Sequence, residues 1–274
     1  VLTLNLWARQ GVWPDRRAVL VSGLRELRPD LVAFQEPIWD DTYDQVVDLL
    51  GPDYHVAHTR RGLVPAAEHQ GASVASRWPL GRLHEVDLQL TARTADFPCT
   101  TLVAEVLAPG PLGRLLFVNH LPSWQRSFEY EREVQTVAAA RTIEAIVNGR
   151  DIPVVLTGDL DAEPEAASVR FWTGRQALGN MSVCYRDAWQ SIHPTEQGYT
   201  LSPRNPLRGE PGVPPQPGRR IDYIFVRCGE DGRPTLEIAA CALAFDEPVA
   251  GVWASDHFGV VADLALPAAL GAGS

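Results

Sequence analysis

Pro153-Val-Val-Leu-Thr-Gly-Asp-Leu-Asp-Ala-Glu-Pro164 is the stretch from which the rest of the chain can be read. Val154 to Leu156 is apolar, rich in β-branched residues and too short for a helix, which predicts a buried strand. The strand is expected to stop at Gly158, with Asp159 and Asp161 following at once. In extended chain the i, i+2 spacing sends both carboxylates to one side. Carboxylates that close repel unless a cation or a proton sits between them. An Asx turn accounts for the same residues equally well, so the other strand ends must decide.

Composition sets the outer limits. The chain has 274 residues, 45% of them hydrophobic, and no linker, charge block or low-complexity tract divides it. One catalytic domain over residues 1–274 is expected. No apolar run approaches the ~20 residues that a membrane span needs. Cys99, Cys184, Cys228 and Cys241 are scattered without a CxxC pair, and no secretory signal is visible. A reducing cytosol is therefore the expected compartment, with a secreted form carrying one or two bridges as the alternative. A monomer is expected. The net charge of −10 argues against a general, charge-driven nucleic-acid binder, though not against a nuclease whose acidic centre is neutralised by metal. All 24 basic residues are Arg, which looks like codon bias.

Outward from 153–164, strands are predicted at 1–5, 31–34, 54–59, 71–76, 84–90, 100–107, 115–119, 221–227, 235–245 and 258–264. Helices are predicted from Pro14 to Pro29, from Asp40 or Asp41 as N-cap to Leu50, over 128–148, and from Pro164 or Glu165 to Trp172. Residues 180–200 give no clear pattern, and 202–218 read as a long Pro, Gly and Arg-rich loop. Hairpins mix with strand–helix–strand units, so the class is α/β with mixed sheets. There is an internal echo: the strand–helix–strand unit over 1–36 ends in Glu36, and the one over 115–159 ends in Asp159. Two similar sheets packed together, with helices outside, would account for it.

Polar residues recur at those strand ends: Asn5, Glu36, His120, Asp159 with Asp161, Asp222, and Asp256 with His257. Singly, a strand-end Asp or Asn more often caps a turn than does chemistry. Eight such residues at six strand ends could line one cleft. Hard oxygen ligands without Cys or clustered His suit Mg²⁺, with Mn²⁺ or Ca²⁺ as alternatives, better than Zn²⁺. Two histidines can move protons near neutral pH. Such an inventory suits hydrolysis of a phosphate ester by water.

The ordered set Leu4-Asn5-Leu6-Trp7, Phe34-Gln35-Glu36, Asn119-His120-Leu121, Gly158-Asp159-Leu160-Asp161, Arg220-Ile221-Asp222-Tyr223-Ile224 and Ser255-Asp256-His257 resembles the endonuclease/exonuclease/phosphatase superfamily. Pancreatic-type deoxyribonucleases, abasic-site endonucleases, neutral sphingomyelinases and inositol polyphosphate 5-phosphatases belong to it. The resemblance spans nearly the whole chain. It implies a four-layer α/β sandwich, two packed mixed sheets with helices outside, and a metal-dependent hydrolytic cleft. By that resemblance Glu36 would be the main Mg²⁺ ligand, helped by Asn5 and Asp256. Asp159 would orient or deprotonate the attacking water, and Asp222 would hold His257, which contacts the phosphate or shuttles a proton. His120 would stabilise the phosphoryl oxygens or protonate the leaving group. The choice of base between Asp159 and His257 stays open.

Two departures stand out. Asp161 replaces the Asn common in the family. An ionised carboxylate cannot donate to phosphate as an amide can, so Asp161 should bind a second cation or be protonated, unless the substrate sits differently. Gln70, close to Glu68, stands roughly where pancreatic-type nucleases have a Glu that supports the histidine at position 120; it and Arg220 are taken as substrate-binding residues. Arg60, Arg61, Arg204, Arg208 and Arg219 could also meet phosphate, or be ordinary surface arginines. Trp124 and Trp253 could stack on a base or sugar, or cap the core. The expected substrate is a phosphodiester, in nucleic acid or a small or lipid-derived molecule. The alternatives are a phosphomonoester, or a binding module that keeps the fold without catalysis.

Overall fold

A computed structural model describes residues 1–60, 69–95, 99–150, 152–209, 214 and 216–267. Among these residues twelve strands form two six-stranded sheets. The first contains β1 (Leu2–Asn5), β2 (Leu31–Trp39), β3 (His55–His58), β4 (His69–Ser76), β11 (Glu237–Ala244) and β12 (Gly259–Ala265), in the order β11-β12-β1-β2-β4-β3. The second contains β5 (Leu80–Asp87), β6 (Thr100–Leu107), β7 (Arg114–Leu121), β8 (Val154–Asp159), β9 (Tyr185–Asp187) and β10 (Asp222–Arg227), in the order β5-β6-β7-β8-β10-β9.

The echo in the sequence is real. In each sheet one parallel pair, β1 with β2 and β7 with β8, is flanked on both sides by antiparallel neighbours. Each parallel pair is joined by a long helix, α1 (Trp13–Leu27) and α3 (Glu129–Val147), as a parallel connection requires.

Three cores follow from the pleat. Leu2, Leu4, Val32 and Phe34 pack beneath α1 and the short α2 (Gln45–Leu50). Leu116, Val118, Val154 and Leu156 pack beneath α3 and α4 (Ala167–Trp172). Ala33, Leu102, Phe117, Val155, Ile224 and Val260 fill the space between the sheets, beside α5 (Ala188–Ile192). The layers are thus helix, sheet, sheet, helix. No described helix is long and apolar enough to cross a membrane.

Several boundaries differ from expectation for identifiable reasons. The N-cap of α2 is Asp44, whose carboxylate accepts from Val46 N and Val47 N. Asp40 instead closes an Asx turn onto Thr42 N and Tyr43 N. In the unread stretch 180–200, β9 and α5 form, with Asp187 as N-cap. β2 does not stop at Glu36, and β7 and β8 run on through His120 and Asp159. Those last three decide how the site is built.

Candidate active site

Asn5 and Asp159 lie in the rows of β1 and β8 that face the opposite sheet, and Asp222 does so at the start of β10. Glu36 on β2 would not join them in a regular strand, because alternation would place it with Val32 and Phe34 beneath the helices. A bulge prevents this. The β2–β4 register shifts between Gln35 and Ile38, and Glu36 adopts φ +56°, in the left-handed region. The bulge is held by Gln45, whose side chain accepts from Ile38 N (2.9 Å) and donates to Ala8 O (3.0 Å). Pro37, which has no N–H to offer a ladder, fits where pairing is interrupted.

The turned carboxylate meets Asn5. Its amide Nδ2 donates to Glu36 Oε1 (3.1 Å) and to Asp159 Oδ2 (3.0 Å), while Trp7 N donates to Asn5 Oδ1 (2.9 Å). Asn5 therefore ties two carboxylates together across the two sheets. Its oxygen, the only atom of the amide that could ligate a cation, accepts that one hydrogen bond and keeps a second lone pair. Gln70 donates to Glu36 Oε2 (3.3 Å), not to His120, so its expected place beside that histidine is corrected.

His257 follows the loop before β12. Asp222 accepts at His257 Nδ1, 3.0 Å from Oδ2, and His257 Nε2 lies 3.8 Å from Asp159 Oδ2. The carboxylate fixes the ring and directs Nε2 into the cleft. Asp222 is itself positioned by Thr200, whose hydroxyl accepts from Ile221 N and Asp222 N. Asp256 is half-buried and touches Ser255 Oγ at 3.3 Å.

The electrostatics are those of crowded, dehydrated acids. Burial, reinforced by Asp256 and Asp159, pushes the Glu36 carboxyl up to about 7, against the pull of the Asn5 bond. Burial and then Asp222 push Asp159 up to about 6. Burial also raises Asp256. Burial opposes charge on His257, but Asp222, Asp159 and Asp256 outweigh it and hold the ring well above the usual histidine range.

Asp161 shows that the turn and the site are the same object. It is not extended, having φ +50°, and its N–H donates to Asp159 Oδ1 at 3.1 Å. The expectation of two carboxylates side by side on a strand is corrected to an Asx turn that orients Asp159. Burial and the neighbouring Asp159 hold the Asp161 carboxyl well above its ordinary range. It lines a cavity of about 260 Å³ with Arg126, Glu129, Arg132, Glu163 and Arg219.

Two other expectations fail. His120 continues the row of Leu116 and Val118, on the helix side of the second sheet. It is fully buried, with Nδ1 2.7 Å from Thr101 Oγ1, an edge contact to Trp172, and no partner at Nε2. Burial pushes its pKa down to about 3, so it stays neutral. Among the described residues it forms no hydrogen bond or ion pair with the carboxylates. Arg220 is buried and bonded to Asp187 Oδ2 at 2.7 Å, with its guanidinium over the Tyr223 ring; it is a structural ion pair, not a substrate ligand. Arg204 pairs with Glu247, and Arg219 with Glu163 and Asp161 O. Arg61 and Glu68 lie outside the described residues. Trp253 stacks on Phe258, whereas Trp124 is 55% exposed.

Sequence reasoning missed Arg16 and the role of Asn119. Arg16, only 2% exposed, donates to the carbonyls of Leu6, Ala8, Gln10 and Ala254 and sits against Trp7 and Trp13. It clamps the loop after Asn5 to the strand entrance before Asp256. An Arg flanked by two Trp residues near a motif was the available signal. Asn119 links the sheets, donating to Phe34 O (2.8 Å) and Ser73 O (2.9 Å) and accepting from Gln35 Nε2 (2.7 Å).

Atoms of Asp159, Asp222 and His257 that could hold a metal ion all lie within 4.8 Å of one another. Two of them are already joined by the Asp222–His257 hydrogen bond, so that pair reads better as a positioned imidazole. Glu36 lies outside that cluster but feels the charges of Asp159 and Asp256. Cavity size does not mark the site: a space of about 810 Å³ lined by Arg82, Arg114, Arg141 and Arg150 shares no residue with it.

Comparison with known proteins agrees with this geometry. Residues 2–257 match the sequence model of the Endonuclease/Exonuclease/phosphatase family. No curated protein matches the chain. Among solved structures, the human Nocturnin catalytic domain with bound sulfate anion is similar, with 18% identity and a TM-score of 0.74, over 97% of this chain and 94% of that one. D. rerio TDP2 complexed with single-strand DNA product has 20% identity and a TM-score of 0.71, over 95% and 96%. An endonuclease/exonuclease/phosphatase from Beutenbergia cavernae has 23% identity and a TM-score of 0.69, over 97% and 70%. Identities this low speak for the fold alone.

Proposed function

This chain belongs to the endonuclease/exonuclease/phosphatase family, and on that premise we propose that it hydrolyses a phosphodiester by attack of water, with the help of a divalent cation. The observation that carries the reading is the joining of Glu36 and Asp159 across the two sheets through one amide of Asn5, with Nε2 of the Asp222-held His257 3.8 Å from Asp159. Folding a chain so that three carboxylates and a histidine share one buried space is unfavourable on its own. Burial and mutual repulsion raise the Glu36 and Asp159 carboxyls, and a cation among them would relieve that repulsion.

The donor set fits a hard cation such as Mg²⁺ or Mn²⁺. Glu36, with Asp256, would hold it, and when bound it would neutralise charge on the phosphoryl oxygens. Asp159, oriented by Asn5 and by Asp161 N, is placed to hold the attacking water and take its proton. His257, kept cationic by its carboxylate neighbours, presents Nε2–H to a phosphate oxygen. Burial and Asp159 oppose ionisation of Asp161, and in its protonated form it could donate a hydrogen bond as an amide would. TDP2 in its DNA-product complex makes a nucleic-acid phosphodiester the first substrate to try.

The test is turnover of bis-p-nitrophenyl phosphate against p-nitrophenyl phosphate with Mg²⁺ or Mn²⁺. Faster cleavage of the diester is expected, and Glu36→Ala and His257→Ala should each lower kcat by about 10²-fold or more. No hydrolysis of either ester, or two variants near wild type, would defeat the proposal.

A further inference from the structure

We propose that Cys184 and Cys228 are a redox-convertible pair, which closes into a disulfide by exchange with a low-molecular-weight disulfide and reopens with a thiol. The inference is independent of the phosphodiesterase reading, since neither cysteine belongs to the proposed hydrolytic site. In sequence the four cysteines stand apart; folding sets two of them against each other, and both are free thiols.

The register of β9 with β10 places Asp187 opposite Phe225, Arg186 opposite Val226 and Tyr185 opposite Arg227. One step further, just outside both strands, Cys184 falls opposite Cys228, and Cys228 N donates to Cys184 O at 2.8 Å. Residues that face each other across an antiparallel pair through such bonds have Cα atoms about 5.5 Å apart, inside the range of roughly 4.4–6.8 Å that a disulfide spans. Side chains of directly opposite residues share one face, and the two thiols are joined by a hydrogen bond. The backbone on either side of Cys228 is pinned, with Gly229 N donating to Arg233 O and Thr235 N to Arg227 O, both at 2.8 Å. The bond would thus close with little movement of either strand. Cys99 Sγ instead lies 3.4 Å from Ser123 Oγ, and Cys241 sits on β11 in the other sheet.

The two thiols differ in access. Cys184 is half-buried beside exposed Gly174, and a Cβ on that glycine would lie 3.6 Å from Cys184 Sγ. Cys228 is buried, and burial followed by the bond with Cys184 pushes its thiol up to about 12. Cys184 is therefore the point of entry, because exchange needs an accessible thiolate. Its thiolate attacks one sulfur of a small disulfide RSSR. A Cys184–S–S–R bond forms, the S–S bond of RSSR breaks, and RS⁻ departs and takes up the proton that Cys184 released. Cys228 then attacks Cys184 Sγ, expels the second RS⁻ and hands it the Cys228 proton. Both cysteine sulfurs are oxidised and RSSR is reduced to two RSH. The closed segment from 184 to 228 contains the Thr200 and Asp222 that hold His257 in place, so the link ties the edge strand β9 to the strand that begins at Asp222.

The test incubates the folded chain with oxidised glutathione in mildly alkaline buffer, alkylates it with iodoacetamide without reduction, and reads intact mass and peptide map. The expected product is lighter by two hydrogens before alkylation, carries one cross-link between Cys184 and Cys228, and keeps Cys99 and Cys241 as free thiols. The linked form should melt about 5 °C or more above the reduced one, and dithiothreitol should abolish the gain. Cys228→Ser should stop at a glutathione adduct on Cys184, and Cys184→Ser should leave Cys228 unmodified. Free thiols at both positions after oxidation, a wild-type adduct on Cys184 that never resolves, a cross-link to any other cysteine, or a link that fails to raise Tm would each overturn the pair.

Discussion

Glu36 reaches the cleft only because its backbone leaves the pleat. Its φ of +56° is unfavourable for a residue with a side chain, and its carboxyl is raised to about 7 by burial. The sign of the resulting pH effect is fixed. Unfolded, the group titrates at its ordinary 4.5; between there and about 7 the folded protein keeps a proton that the unfolded chain has lost. The stability that Glu36 contributes therefore declines as pH rises through that window. Glu36→Gln removes the titration. Without divalent metal, its Tm should exceed that of wild type at pH 8, by an amount on the order of 3 kcal/mol of stability, and the gap should close by pH 4.5. Added Mn²⁺ should raise the Tm of wild type and have little effect on the variant. Equal Tm shifts in both proteins would remove Glu36 as the ligand. The bulge and the raised carboxyl were not legible in Gln35-Glu36-Pro37, where proline reads as the end of a strand rather than as part of a bulge.

Strand pairing explains which motif residues meet. Leu115 and Phe117 on one side of β7 and Leu116 and Val118 on the other are all apolar, since both faces of the sheet are covered. Hydrophobic alternation is mute there, and the side taken by His120 could not be read. Arg220 misled for a different reason: its partner Asp187 lies in the stretch 180–200, which carried no periodic signal. Asn119 was quoted as part of a motif, and its use became visible only with the second sheet in place. Asn119→Leu should destabilise the fold by about 2–4 kcal/mol, because it strands two carbonyls and the Gln35 amide; denaturant unfolding measures this, and a loss below about 1 kcal/mol would contradict the cross-sheet role. Gly158 on β8 is needed by close approach. It has φ +152°, and a Cβ there would lie 2.0 Å from His120 O. Gly158→Ala should therefore cost about 2 kcal/mol or more, read in the same unfolding experiment.

The whole molecule was more legible than its parts. Two strand–helix–strand units of like pattern became two sheets with the same succession of parallel and antiparallel neighbours. Family order survived because each motif sits at or near the end of a strand, and all but that of His120 turn a side chain toward one cleft. Asn5, Glu36, Asp159, Asp222 and His257 assemble as the order suggested, while the orientation of His120, Arg220 and Gln70 depended on pleat parity and ion pairing that no linear pattern records. The joining of the two sheets' carboxylates is the central claim, and Asp159 is the residue on which it turns. Its isosteric variant Asp159→Asn preserves shape but cannot take a proton from water. With saturating Mn²⁺ and bis-p-nitrophenyl phosphate, kcat of Asp159→Asn is predicted to fall by about 10²–10⁴-fold without loss of thermal stability; a kcat close to that of wild type would contradict the assignment of this cleft as the hydrolytic site.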